Sequence, residues 1–136
     1  MVRGSVRKSV DRPKYRAYLQ VADDFRHAAD VAREYEYWNA SGLLIVHAAI
    51  AYADALGVSI GGVKCQGEDH HEVIALLQEL TAGTDAQKKA LSHLARIIDH
   101  KTAVAYSGDI YSERDIDQLR KHLDRFESWV VSLLKK

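Results

Sequence analysis

The chain has 136 residues, within the size range of one domain, and its 47% hydrophobic and 28% charged residues are typical of a globular protein. Its 19 basic and 19 acidic side chains cancel, which excludes a global positive field, so any nucleic-acid site must be local. Cys65 is the only cysteine, which excludes an intrachain disulfide and favours a reducing, cytoplasmic location.

The first segment, residues 1–13, is basic, and we predict that it is a flexible leader ahead of one helical domain over residues 14–134. Its four basic residues are opposed only by Asp11, so it is either a solvated tail or a local contact for RNA. The leader lacks the apolar core of a signal peptide, and no apolar run approaches a membrane span in length. We therefore predict no membrane partner.

Apolar residues recur at intervals of three and four along the rest of the chain, which is the spacing of helices and not of strands. The most regular series is Ile116, Leu119, Leu123, Phe126, Val130 and Leu133. The spacing predicts an all-α fold, a five-helix up-and-down bundle. The helices are expected near residues 14–34, 38–57, 69–81, 85–106 and 112–134.

The second predicted helix is apolar on nearly all sides, so the other helices must surround it. Three later helices begin at pairs of residues that are typical of helix caps. These pairs are Asp69 with Glu72, Thr84 with Gln87, and Ser112 with Asp115. The glycine-rich connection of residues 57–68 is predicted to be the most mobile loop.

Residues 65–72 form the densest group of potential metal ligands, with Cys65, His70 and His71 among them. Their spacing matches no structural zinc pattern, and Asp69 and Glu72 already have a role as helix caps. We therefore predict no metal and no cofactor, with a metal-binding or small-ligand-binding bundle as an alternative.

Polar residues on the second and fourth predicted helices are candidates for ligand binding. His47 and Asp54 lie on one side of an otherwise apolar helix, so they need hydrogen-bond partners on a neighbouring helix or in a ligand. On the fourth helix His93, Arg96 and His100 follow at intervals of three and four and form a basic face, which is either solvated or contacts a phosphate.

Lys101 is the candidate whose type conflicts most with its position, because it shares an apolar stripe of the fourth predicted helix with Ile98. A buried ammonium group needs compensation. Either a carboxylate such as that of Asp54 pairs with it, or Lys101 borders an open cleft with Tyr106 and His47 that holds a phosphate.

The chain lacks the motifs of common catalytic sites. It contains no Gly-x-Ser-x-Gly turn for a serine nucleophile, and its glycine-rich segment lacks the Gly-Lys-Ser/Thr of a phosphate-binding loop. We therefore predict no catalytic residues.

The helix order, the stretch of residues 41–51 with Val46-His47-Ala48-Ala49, and the stretch of residues 101–106 together resemble the HEPN domain family. The resemblance covers about residues 14–134. It implies a small helical bundle and a homodimer. It also implies a nucleotidyltransferase-like protein as partner, in a pair of the toxin–antitoxin type.

Active members of that family are metal-independent ribonucleases in which an arginine is followed, after four to six residues, by a histidine. No arginine here has a histidine at that spacing, and Lys101 and Tyr106 stand at the motif's position. The resemblance therefore implies a non-catalytic or degenerate module that dimerises and binds a nucleotide, RNA or a protein partner. The alternative is a ribonuclease with a rearranged active site.

Overall fold

The computed structural model describes residues 7–67 and 70–135, and these residues are predominantly helical, as predicted. The elements in chain order are β1 (Arg7–Ser9), a 3-10 helix (Arg12–Lys14), α1 (Tyr15–Glu34), α2 (Trp38–Gly61), β2 (Val63–Cys65), α3 (Glu72–Leu80), α4 (Asp85–Ile98), α5 (Lys101–Ala105) and α6 (Glu113–Leu134).

α2 lies at the centre of the bundle and contacts every other helix. Many of its buried residues are alanine or glycine, so the neighbouring helices approach its backbone closely. The core also contains the apolar stripe of α6, whose Ile116, Leu123 and Phe126 are buried. The expectation that the second helix is surrounded is confirmed.

The length of α2 corrects one expectation. Residues Trp38–Gly61 are long and apolar enough, by length and composition alone, to cross a membrane. Of the most apolar window of this helix, 67% is buried inside the bundle, and the core helix of a soluble protein passes the same test. The expectation that no apolar run reaches this length is therefore wrong.

Several predicted helix ends differ from the observed ones. α2 continues past Gly57, so this glycine does not end the helix. It allows the backbone of β2 to approach α2 closely, since a Cβ at Gly57 would lie 2.9 Å from the carbonyl oxygen of Val63. The helix ends instead at Gly62, which has a φ of 64°. The predicted fourth helix is broken after Ile98, where the backbone N–H of His100 donates to the Ile97 carbonyl in a tight turn.

The described part of the predicted leader is folded against the bundle. β1 pairs antiparallel with β2, with Arg7 opposite Cys65 and Ser9 opposite Val63. The Arg7 guanidinium also forms an ion pair with Glu79 of α3, at 2.9 Å. Residues 7–14 therefore differ from the expected flexible chain. The two strands were not predicted, because three-residue strands are too short to give a periodic pattern.

The predicted helix caps have different outcomes. Ser112 and Asp115 form a complete capping box at the start of α6. At α4, the Thr84 hydroxyl accepts from the backbone N–H of Gln87, but the Gln87 side chain donates to Thr81 instead of completing the box. Asp69 lies outside the described residues, and α3 begins at Glu72 without a side-chain cap from His71.

Charged side chains join α1 to α6 in what we call the α1–α6 ion-pair ladder. Its pairs are Arg26–Glu127, Arg120–Asp30, Arg120–Asp124, Arg33–Asp117 and Arg33–Glu113. Arg33 and Arg120 each hold one aspartate through two parallel hydrogen bonds. The side of α6 that faces α1 is consequently acidic, and Arg120, the arginine of α6 on this side, is already paired with carboxylates.

Candidate functional site

A basic cleft lies on the other side of α6, between α4 and α6. It consists of two adjoining cavities, of about 310 and about 460 Å³, which share Arg96 and His122. The lining residues are Lys88, Lys89, Ser92, His93 and Arg96 of α4, Asp99 and His100 after it, and Asp115, Gln118, Leu119 and His122 of α6. We call this surface the α4–α6 cleft.

The helical repeat explains why these side chains converge. Lys89, His93 and Arg96 recur at intervals of four and three, so they follow one side of α4, and His100 extends this row just after the helix ends. That side borders the buried stripe to which Leu94 belongs. On α6, Gln118, His122 and Arg125 flank the buried stripe in the same way. Packing of the two stripes in the core therefore brings the two polar rows together.

Two histidines, one from each helix, contact each other at the middle of the cleft. The Nδ1 atoms of His93 and His122 are 2.8 Å apart, and the ring centroids are 5.1 Å apart. Burial lowers the pKa of both imidazoles, and the charge of Arg96 lowers each further. The positive charge of Arg125 acts on both histidines in the same direction.

The acidic residues of the cleft have other partners. The Asp99 carboxylate lies 3.2 Å from His71 Nε2, and Asp115 belongs to the capping box with Ser112. In contrast, within residues 7–67 and 70–135, neither Arg96 nor Arg125 has a carboxylate at ion-pair distance. Neither Arg96 nor Arg125 is therefore paired with an acidic side chain of the described chain, although the carboxylates of Asp99 and Asp115 also line the cleft.

Only two of the six predicted ligand-binding residues line this cleft, Arg96 and His100. The Nδ1 atom of His100 is 2.6 Å from the Tyr111 hydroxyl, which links the cleft to the loop before α6. The hypothesis of a basic face on the fourth helix therefore agrees with the position of these two residues. His93, the third residue of that predicted face, lines the cleft as well.

The structure places His47, Lys101 and Tyr106 elsewhere. His47 stacks on Phe25 with ring centroids 5.4 Å apart, and burial, followed by the charge of Lys101, lowers its pKa. Lys101 and His47 are thus near neighbours. Tyr106 is 81% exposed at the end of α5. These residues form no cleft with Arg96 in the described structure. The six predicted ligand-binding residues therefore do not form a single site.

Asp54 lies apart from all of them, and its partner is not Lys101. Its carboxylate is 3.6 Å from Lys64 Nζ of β2, and that ammonium also lies over the Tyr18 ring, 5.1 Å from its centroid. Burial raises the pKa of Asp54 to about 6, although Lys64 opposes the shift. Asp54 therefore has its partner on β2, whereas the contact shown for His47 is its stacking on Phe25.

Sequence reasoning missed the contribution of α6. His122, Gln118 and Arg125 flank the apolar stripe that identified this helix, yet their spacing gave no sign of which neighbouring helix they face. The described chain, which does not include Glu68 and Asp69, contains no group of three His, Cys, Asp or Glu side chains that could hold a metal ion.

Comparisons with known proteins do not assign the chain to a family. Searches against protein families, curated proteins and solved structures find no significant match for the chain. The resemblance to the HEPN domain family therefore enters below as a proposal, beside the chemistry of the cleft.

Proposed function

We propose that the chain is an RNA-binding module whose α4–α6 cleft holds the phosphates of a short single-stranded segment. The observation that carries this proposal is Arg96, which lines the cleft beside the His93–His122 contact and pairs with no carboxylate of the described chain, together with the charge of Arg125, which acts on both histidines. Guanidinium groups suit phosphate because their N–H donors match two of its oxygens. The HEPN resemblance supports RNA over other polyanions.

The distribution of charge supports a local site of this kind. The chain has no net charge, so it has no general attraction for a polyanion. On the α1 side of α6 each arginine is held by carboxylates, whereas on the α4 side Lys88, Lys89, Arg96 and Arg125 have no such partner in the described residues. Of the two sides of α6, the α4 side therefore attracts a phosphate backbone more strongly.

The test is a titration of a fluorescent oligouridine at about 50 mM and about 200 mM salt. The double variant Arg96→Gln/Arg125→Gln is expected to weaken binding by tenfold or more at the lower salt. It should also reduce the slope of log affinity against log salt by about 1.4, since each lost phosphate contact on a single strand contributes about 0.7. Both arginines are exposed, so the free energy of unfolding should change by less than about 0.5 kcal/mol.

Arg114→Gln is the matched control, because Arg114 is an exposed arginine of α6 that neither lines the α4–α6 cleft nor, unlike Arg125, shifts the pKa of His93. Equal binding by the control and the double variant would contradict the cleft as the site. Absence of binding by the wild type at low salt would contradict the function itself.

A second candidate function is RNA cleavage at the same cleft, and the His93–His122 contact favours it. One imidazole would accept the proton of a ribose 2′-hydroxyl as that oxygen attacks the phosphorus, and the other would donate a proton to the departing 5′-oxygen. The products are a 2′,3′-cyclic phosphate and a free 5′-hydroxyl. Arg96 would stabilise the negative charge on the phosphate oxygens.

Cleavage and binding are separated by the ends of the recovered RNA. Incubation of wild-type protein with oligouridine in the presence of a chelator should give 2′,3′-cyclic ends if the cleft is catalytic, and His122→Gln should abolish them. Intact RNA recovered from a bound complex would contradict the catalytic candidate and leave the binding module.

The resemblance adds two proposals about partners, a homodimer and a nucleotidyltransferase-like protein of the toxin–antitoxin type. Exposed apolar side chains support an interface: Tyr35, Tyr37 and Ile110 are 68%, 64% and 88% exposed. The side chain of Asn39 ties the α1–α2 turn to the loop before α6, since it bonds to the backbone of Asp109 and Tyr111. These apolar residues therefore lie at one end of the bundle.

A further inference from the structure

The hydrogen bond between His93 and His122 can persist when the pair takes up one proton but not when it takes up two. At an Nδ1–Nδ1 distance of 2.8 Å, one nitrogen donates its hydrogen and the other accepts it. Addition of one proton to the pair keeps this hydrogen bond, with an imidazolium as donor and a neutral ring as acceptor. A second proton leaves two N–H groups facing each other, so the rings must then separate.

The charged groups around the pair oppose its protonation while the cleft is empty. These groups are Arg125 of α6 and Arg96 of α4, and two further basic side chains of α4, Lys88 and Lys89, line the same cavity. His100, which follows α4, acts on His122 in the same direction. The carboxylates of Asp99 and Asp115 line the adjoining cavity but are engaged by His71 and Ser112.

A phosphodiester in the cleft reverses this balance, because its negative charge favours the charged form of an imidazole nearby. Proton binding and anion binding at one place then strengthen each other, and thermodynamic linkage requires that the effect be reciprocal. Resting on the function proposed above, we propose that the α4–α6 cleft takes up a proton from solvent at the His93–His122 pair when it binds RNA, so that binding tightens as the pH falls.

The experiment is a titration of labelled oligouridine at constant salt between about pH 8 and about pH 6, the range in which histidines titrate. Wild type is expected to bind at least about fivefold more tightly at the lower pH, with a limiting change of about tenfold per pH unit for one proton. Calorimetry in two buffers of different ionisation enthalpy should show uptake of up to one proton per RNA bound.

Three variants locate the proton. His93→Gln/His122→Gln, and His122→Gln alone, should flatten the dependence of affinity on pH, while glutamine keeps a hydrogen-bonding side chain of similar length. His27→Gln is the matched control, because His27 is an exposed histidine of α1 outside the cleft, and it should retain the full dependence. Thermal melting of each variant verifies that it is folded.

The outcomes distinguish this inference from the function on which it rests. Affinity for RNA that is constant between about pH 8 and about pH 6 would overturn the proton uptake and leave RNA binding intact. Loss of the dependence in His100→Gln, with the dependence kept in His122→Gln, would also overturn the assignment to the pair. Failure of wild type to bind at any pH would overturn both proposals.

Discussion

Glu36 occupies a backbone conformation that suits glycine. Its φ is 63°, and it lies just after α1, where the backbone N–H of Tyr37 donates to the carbonyl of Ala32 across the helix end. This is the left-handed position that closes many helices, and a residue with a Cβ is strained there by about 1 kcal/mol. The glutamate side chain is exposed, so little else is lost on its removal.

Glu36→Gly is therefore expected to raise the free energy of unfolding by about 0.5–1 kcal/mol in a denaturant titration. Glu34→Gly, two residues earlier at the last residue of α1, should instead lower it, because glycine disfavours a helix. Equal effects of the two substitutions would show that the conformation of Glu36 is not strained.

The raised pKa of Asp54 leads us to expect that the free energy of unfolding depends on pH. Its pKa is about 6 in the folded chain and near 3.8 when unperturbed, so the folded state favours the protonated carboxyl. The stabilisation from this group is fully present below about pH 4 and is lost as the pH rises through about 6. The difference of about two units corresponds to up to about 3 kcal/mol.

The measurement is the free energy of unfolding of wild type and of Asp54→Asn at several pH values. Between about pH 4 and about pH 7, wild type should lose stability relative to the variant, by up to about 3 kcal/mol. The other carboxylates contribute equally to the pH dependence of both proteins, so their contributions cancel in this difference. Asp109→Asn, at an exposed aspartate, is the control. A constant difference between wild type and Asp54→Asn would contradict the burial account.

The sequence indicated that Asp54 needs a partner but not which one. Lys101 was the natural candidate, because it also stood among apolar residues, yet the partner is Lys64. That lysine reaches Asp54 through β2, and β2 exists because β1 pairs with it. A contact that depends on two three-residue strands has no periodic signal, so its residues could not be paired from spacing.

Among the elements, α2 and α5 approach each other at Gly42. A Cβ at this position would lie 2.9 Å from Val104 Cγ1 and 3.2 Å from Ile116 Cδ1, and both of those side chains are buried. Gly42→Ala should therefore lower the free energy of unfolding by about 1–3 kcal/mol, the usual cost of an overpacked core.

Gly83→Ala is the matched control for Gly42→Ala. A Cβ at Gly83 meets no heavy atom within 4 Å, and its φ is not in the left-handed region. This substitution should be neutral or slightly stabilising, because alanine restricts the unfolded chain more than glycine does. Similar losses of stability in the two variants, measured by denaturant titration, would show that the contact with Val104 is not tight.

Elements with long apolar stripes were predictable and short ones were not. The spacing and the Ser112 cap placed α6 within one residue of its observed start. The break between α4 and α5 was missed because the spacing of three and four continues across it, from Ile98 through Lys101 to Ala105. For the cleft, the sequence found the row on α4 but not its counterpart on α6, since pairing of rows is decided by which helices pack together.

For the whole molecule, the apolar end formed by Tyr35, Tyr37 and Ile110 leads to a prediction of dimerisation. We expect light scattering at micromolar concentration to give about twice the chain mass of 15.3 kDa. Tyr37→Ser/Ile110→Ser should shift the protein toward the monomer, because it removes exposed apolar surface. Val21→Ser, at a residue of α1 that is 46% exposed, is the control.

A wild-type mass of one chain at every concentration would contradict the dimer. A dimer that persists in Tyr37→Ser/Ile110→Ser but dissociates in Val21→Ser would place the interface on α1 instead of at the apolar end.

The opposite charge on the two sides of α6 gives this neutral chain a permanent electric dipole. Paired carboxylates of the α1–α6 ion-pair ladder lie on one side, and Arg96 and Arg125 lie on the other. Near its isoelectric point the protein should therefore be retained by both cation and anion exchangers at low ionic strength. A polyanion near α6 is attracted to its α4 side and repelled from its α1 side, and added salt screens this difference beyond a length of about 10 Å.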